Sequence, residues 1–146
     1  MPWMKSRQHK SSAKAAAVVL VVEDEALVRM YVSDVLGQSG FEVVEADNAE
    51  QAMKRLATDR SICAVVSDVA MPGPFDGFEL ARRLRREFPR IGVVLVSGVL
   101  EPKDIYMPLG VRFVSKPVRA ATLLRLVREV ADPRVELPKP AIEQRI

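Results

Sequence analysis

Four apolar runs in this chain stop on side chains that can do chemistry. Val18 to Val22 stops at Glu23, Asp24 and Glu25, Ile62 to Ser67 at Asp68, Ile91 to Val96 at Ser97, and Val111 to Ser115 at Lys116. If those ends meet, three carboxylates, a hydroxyl and an ammonium share one small surface. Crowded carboxylates raise one another's pKa unless a cation is present. Mg²⁺ answers that need: it takes oxygen ligands, keeps several waters, and is commonly held by one or two carboxylates and a phosphate. Lys116 cannot be a ligand, but it can neutralise charge on a phosphoryl oxygen, and Ser97 can donate a hydrogen bond to another. These are the parts for phosphoryl transfer to a carboxylate, where catalysis is mainly positioning and charge neutralisation. Taken singly, each residue has a plainer role. Asp68 could cap a helix, the acidic trio could favour a helix N-terminus, and Ser97 and Lys116 could be turn residues. Their joint placement at the ends of apolar runs is what argues for a site.

The elements that would position them can be read from periodicity. Val18 to Val22 is a strand buried on both faces. Val28, Tyr31, Val32, Val35 and Leu36 then recur on one face of a helix that Gly37 or Gly40 can end. Phe41 to Ala46 is a second strand, after which Asp47 or Asn48 can cap a helix with Ala49, Ala52, Met53 and Leu56 inside. Ile62 to Ser67 is the third strand, and Leu80, Ala81, Leu84 and Phe88 mark a helix ending before Pro89. Ile91 to Val96 and Val111 to Ser115 are the fourth and fifth strands, and Leu123, Leu124, Val127, Val130 and Ala131 form the face of the last helix. Between the fourth and fifth strands Pro102 and Pro108 leave room for about one and a half turns, so the helix there should be short or irregular. Five strands alternating with helices make a doubly wound parallel α/β sheet. In such a sheet ligands bind beyond the carboxyl ends of the strands, where the polar groups above are found.

Composition narrows the function. With 146 residues, 49% hydrophobic and 28% charged, the chain suits one globular domain. We divide it into a basic leader (residues 1–16), a domain (17–132) and a tail (133–146). The net charge of +3 resides in the arms, and residues 15–132 carry about −2 once Lys5, Arg7, Lys10, Lys14 and the tail are set aside. With aromatics at 5%, the domain is not expected to bind nucleic acid directly. No apolar stretch is long enough to span a bilayer and none resembles a signal peptide, so a cytoplasmic protein without a membrane partner is expected. Cys63, the one cysteine, lies in an apolar run and reads as a buried, inert thiol. The leader reads as a disordered arm, and the basic stretch Arg82, Arg83, Arg85, Arg86 and Arg90 as a solvated face, with an acidic protein partner as the functional alternative.

VVLVVEDE at 18–25, VVSDVAMPG at 65–73, VLVSG at 94–98 and FVSKP at 113–117 resemble, in order, the four signature blocks of response-regulator receiver domains. The resemblance covers about residues 17–132. It implies the flavodoxin-like strand order 2-1-3-4-5. It implies Asp68 as phosphoacceptor, Asp24 as a direct Mg²⁺ ligand, Glu23 as a ligand through water, and the Ala70 carbonyl as a further ligand. Ser97 would follow the phosphoryl group, Lys116 would pair with it, and Phe113 would be the aromatic that changes rotamer. The donor would be a histidine kinase or a histidine phosphotransfer protein, and the output a protein–protein contact with a target the sequence does not name. A cis bond between Lys116 and Pro117 is expected, because the strand must return its lysine to the site and turn at once. Glu23 stands where Asp is commoner, and MPGPFDGFEL is one residue longer than the usual MPGMDGFEL, so the path after Asp68 should bulge. Alternatives are a phosphatase with an aspartyl nucleophile and the receiver fragment of a hybrid histidine kinase. The phosphatase needs a second Asp where Ala70 stands. A flavodoxin-like FMN carrier is opposed by the acidic Glu23 to Glu25, which would repel the phosphate.

Overall fold

A computed structural model describes residues 17–98 and 107–140. The chain runs β1 (Val18–Val22), α1 (Ala26–Gln38), β2 (Glu42–Ala46), α2 (Ala49–Thr58), β3 (Ile62–Asp68), α3 (Gly77–Glu87), β4 (Gly92–Ser97), β5 (Val111–Ser115) and α4 (Ala120–Val130). All neighbouring strands pair in parallel, in the order β2-β1-β3-β4-β5. The doubly wound, flavodoxin-like sheet expected from the sequence is therefore present. The crossover between β4 and β5, where a short or irregular helix is expected, runs over residues 98–110, of which 99–106 lie outside the described residues, as does the leader.

Alternation along the strands builds two cores. Val18, Leu20, Val22, Val65, Val93, Leu95 and Phe113 face α2 and α3. Val19, Val21, Val66, Val94 and Val96 face α1 and α4. The register of β1 on β3 shifts between Val18 and Val19, so that Val18 pairs with Ile62 and Val19 with Ala64. This bulge leaves Cys63 and Ala64 in the same core and frees the Cys63 carbonyl to accept from Asp132 N (3.0 Å). Burial pushes the Cys63 thiol up to about 11, which keeps it protonated at neutral pH.

Local chemistry sets the helix limits. Asn48 accepts from Gln51 N and Asp76 from Glu79 N, two N-caps that satisfy orphan donors. Gly40, at φ 97°, rather than Gly37 supplies the left-handed residue beyond α1. The periodic face assigned to α1 is too broad: Val32 and Leu36 are buried, but Tyr31 is 48% exposed. The tail does not trail away after α4. Val135 and Leu137 pack against the second core, and Pro138 sits so close to Gly40 that a Cβ there would lie 2.7 Å from the Pro138 Cβ.

Candidate functional site

Three strand ends and one loop define the site. Glu23 and Asp24 follow β1, and Asp68 closes β3, next to it in the sheet. One carboxylate oxygen from each lies within 4.8 Å of the others. Glu23 and Asp68 are buried and Asp24 is exposed, so the cluster opens to solvent on the Asp24 side. Lys116, just beyond β5, reaches back across β4. Its Nζ donates to Asp68 Oδ2 at 3.2 Å and to Glu23 Oε1 at 3.5 Å. The Lys116 to Pro117 bond is cis, as expected. Backbone pairing fixes the return, because Lys116 N donates to the Ser97 carbonyl at 2.7 Å.

Electrostatics follow from burial in company. Desolvation pushes the Glu23 carboxyl up to about 7, aided by the charge of Asp68 and by Asp24; the Glu25 amide, which donates to Glu23 Oε2, and Lys116 oppose the rise. For Lys116 burial works against the charge, but Asp68 and then Glu23 outweigh it and hold the ammonium above its ordinary range. Two buried carboxylates sharing one ammonium leave negative charge uncompensated. A small divalent cation with oxygen preference suits the Glu23, Asp24 and Asp68 donors.

The remaining residues singled out from the sequence surround this cluster. Ser97 is buried at the end of β4, whose Val96 pairs with Asp68. Ala70 begins the loop after β3 and is exposed. The base of that loop is clasped: Gly77 N donates to the Val69 carbonyl at 2.8 Å. Gly77 is required there, since a Cβ would lie 2.3 Å from the Asp68 carbonyl oxygen. Phe113 is buried, not turned outward, and stacks on Phe78 with ring centroids 6.4 Å apart.

Two supporting residues escape sequence reasoning. Arg29 Nη1 donates to the Glu23 carbonyl at 2.7 Å while its Nε pairs with Glu45 at 2.8 Å, so α1 holds the acidic strand end and ties it to β2. Tyr31 Oη donates to the Val118 carbonyl at 3.2 Å, linking α1 to the segment after Pro117. Neither contact leaves a periodic signal, because both depend on how far a long side chain reaches across a layer. Beside the site, a groove of about 590 Å³ runs between α1 and the Pro117 segment, lined by Leu27, Tyr31 and Val118 next to Asp68 and Lys116.

Comparison with known proteins places this geometry. The profile of the response regulator receiver domain matches residues 19–128. The response regulator protein FleR of Pseudomonas aeruginosa is 38% identical over 115 residues, covering 77% of this chain but only 24% of FleR. The chain thus spans about a quarter of that relative. The two-component response regulator ORR3 of Oryza sativa is 32% identical over 117 residues, covering 77% of this chain and 88% of ORR3. The crystal structure of a response regulator receiver protein from Pseudomonas putida superposes with a TM-score of 0.70 at 35% identity, covering 78% of this chain and 97% of that one.

Proposed function

Because the chain belongs to the response-regulator receiver family of two-component signalling, we propose that it is a phosphoacceptor switch in which Asp68 receives a phosphoryl group from a histidine kinase or a histidine phosphotransfer protein. The observation that carries this reading is the Asp68 carboxylate itself. It is buried at a strand end, 3.2 Å from the Lys116 ammonium and within 4.8 Å of two further carboxylates. Lys116 stabilises the Asp68 charge, but the two further carboxylates repel it, a cost a purely structural aspartate would not carry. In the transfer an Asp68 oxygen forms the new O–P bond as the N–P bond to the donor imidazole breaks, and that nitrogen takes up a proton from solvent. Lys116 keeps a positive charge beside the incoming phosphoryl oxygens, and the Ser97 hydroxyl donates to one of them. Glu23, Asp24, Asp68 and the Ala70 carbonyl would hold Mg²⁺, with Glu23 reaching it through water, and the bound ion would supply charge neutralisation. Phe113 acts as the rotamer switch, with Ser97 moving toward the phosphoryl group as the ring packs inward. The domain is a signalling module whose chemistry is confined to its own aspartate. Residues 17–132 carry that activity, with Val135 and Leu137 of the tail packed on the second core, and its output is contact with another protein in the cytoplasm. Among the described residues no helix is long and apolar enough to cross a membrane.

Incubation with acetyl phosphate and Mg²⁺ followed by intact-mass measurement tests the reading. One phosphoryl adduct is expected on the wild-type chain, absent after Asp68→Asn and absent in EDTA. An adduct that survives Asp68→Asn overturns the assignment of the acceptor, and one that forms equally in EDTA overturns the role of the metal.

A further inference from the structure

The base of the sheet, at the opposite end of the strands from Asp68, carries a second concentration of charge, of the other sign. Two adjoining grooves of about 510 and 460 Å³ run along it, past the starts of β3, β4 and β5, and share Pro89 and Arg90. Arg60 and Arg134 line the first, Arg85 and Arg112 the second. Five arginines thus face three carboxylates. Of those three, Asp132 is taken up by Arg134, whose Nη2 donates to it at 2.9 Å, and Glu129 by Arg125 at 3.2 Å.

Part of this charge has an internal purpose. α2, α3 and α4 all end at this pole, and each helix C-terminus presents about half a negative charge over its last turn. Arg85 serves that need, and its guanidinium donates to the carbonyls of Pro89, Ile91 (3.1 Å) and Gly110 (3.4 Å). Those partners are neutral, so the charge of Arg85 is fixed in place without being cancelled by a carboxylate. Arg112 likewise donates only to a neutral carbonyl, that of Val111 at 3.3 Å, so its charge too is not cancelled by a carboxylate. Arg90 lies in the turn after α3, facing an Asp132 already paired with Arg134, and Arg112 lies on β5, whose outer edge pairs with no other strand among the described residues. Between these cations lie apolar side chains, Phe88 and Pro89 in the first groove and Leu109, 94% exposed, in the second.

We propose that this furrow docks an acidic segment of a partner protein, one that alternates carboxylates with aliphatic side chains. Arg90 and Arg112 pair with its carboxylates, Arg85 supplies a fixed field between them, and Leu109 and Phe88 receive the aliphatic groups. A nucleic-acid backbone fits less well. Asp59, Asp132 and Glu129 interrupt the cations and would repel a strand charged at every unit, and among the described residues lining the furrow the one aromatic, Phe88, is half-buried and offers no open stacking platform. The furrow goes beyond the phosphoacceptor reading and does not depend on it, since none of its residues touches the Asp68 site.

Fluorescence anisotropy on the full chain tests the proposal, with a labelled peptide rich in glutamate and leucine as the probe. Saturable binding is expected that weakens with added salt, falls at least about tenfold in the Arg90→Glu, Arg112→Glu double variant, and is unaltered by Asp68→Asn. Thermal unfolding of the double variant, expected within a few degrees of wild type, separates lost docking from lost folding. Should that variant unfold, Arg90→Gln alone replaces it, with a loss of a few-fold expected. No binding by the wild-type chain, binding that survives removal of the arginines, or tighter binding of a labelled single-stranded oligonucleotide of equal charge would overturn it.

Discussion

Glu23 is the carboxylate least able to stay ionised by itself, because the fold buries it beside Asp68 and Asp24. Between its ordinary value of 4.5 and about 7 the folded chain keeps the Glu23 proton that the unfolded chain has lost. The folded state binds more protons across that window, so the contribution of Glu23 is fully present below it and is lost as pH rises through it. Urea unfolding in EDTA is expected to show stability falling by on the order of 2–3 kcal/mol over this range, at about 1.4 kcal/mol per pKa unit. Glu23→Gln should remove that slope, and an unchanged slope in the variant would show that another group causes it. Lys116→Met should act in the opposite sense to relief: it strips the ammonium from two buried carboxylates and is expected to cost about 1–3 kcal/mol at pH 8 in EDTA, read by the same titration. The carboxylates, Lys116 and Ser97 were legible in the sequence because each ends an apolar run, a local pattern. Arg29 was not, because its hold on the Glu23 carbonyl is set by the placement of α1 over the sheet rather than by any spacing.

At the scale of elements, two glycines make opposite predictions. A Cβ on Gly77 would lie 2.3 Å from the Asp68 carbonyl and 2.8 Å from the Val69 Cα, where backbone on both sides cannot yield. Gly77→Ala is expected to cost about 2–3 kcal/mol and to slow labelling by acetyl phosphate, because relief must move the strand end that carries Asp68. Gly37 meets nothing within 4 Å and lies inside α1, so Gly37→Ala is expected to stabilise by about 0.5–1 kcal/mol in thermal unfolding, with labelling unchanged. Strands and helices were readable from period alone. The width of the buried face of α1 was not, because Tyr31 continues its apolar pattern onto a solvent face. Periodicity reports which residues could be inside, and only the width of the neighbouring layer decides which are. The fate of Arg85 was hidden for a related reason: a basic helix reads as solvated, yet this arginine folds back onto the carbonyls at the starts of β4 and β5.

At the scale of the whole molecule, the five strands are shared by two cores, so neither face can melt alone. Leu20→Ala, which opens a cavity under α2 and α3, and Leu123→Ala, which opens one under α4, should each cost about 2–5 kcal/mol and move the same single transition. Near-UV and far-UV circular dichroism that separate in either variant would contradict this. The tail is where sequence reading was least informed, since three prolines and no helical period give no sign that Val135 and Leu137 belong to a core. That docking bears on how the protein can be handled at the bench. A gene shortened to end at Asp132, where the regular elements stop, would produce a polypeptide with a bare greasy seam along α1 and α4, prone to stick to its neighbours and to dyes that light up on apolar surfaces. Ending it after Pro140 keeps the seam sealed.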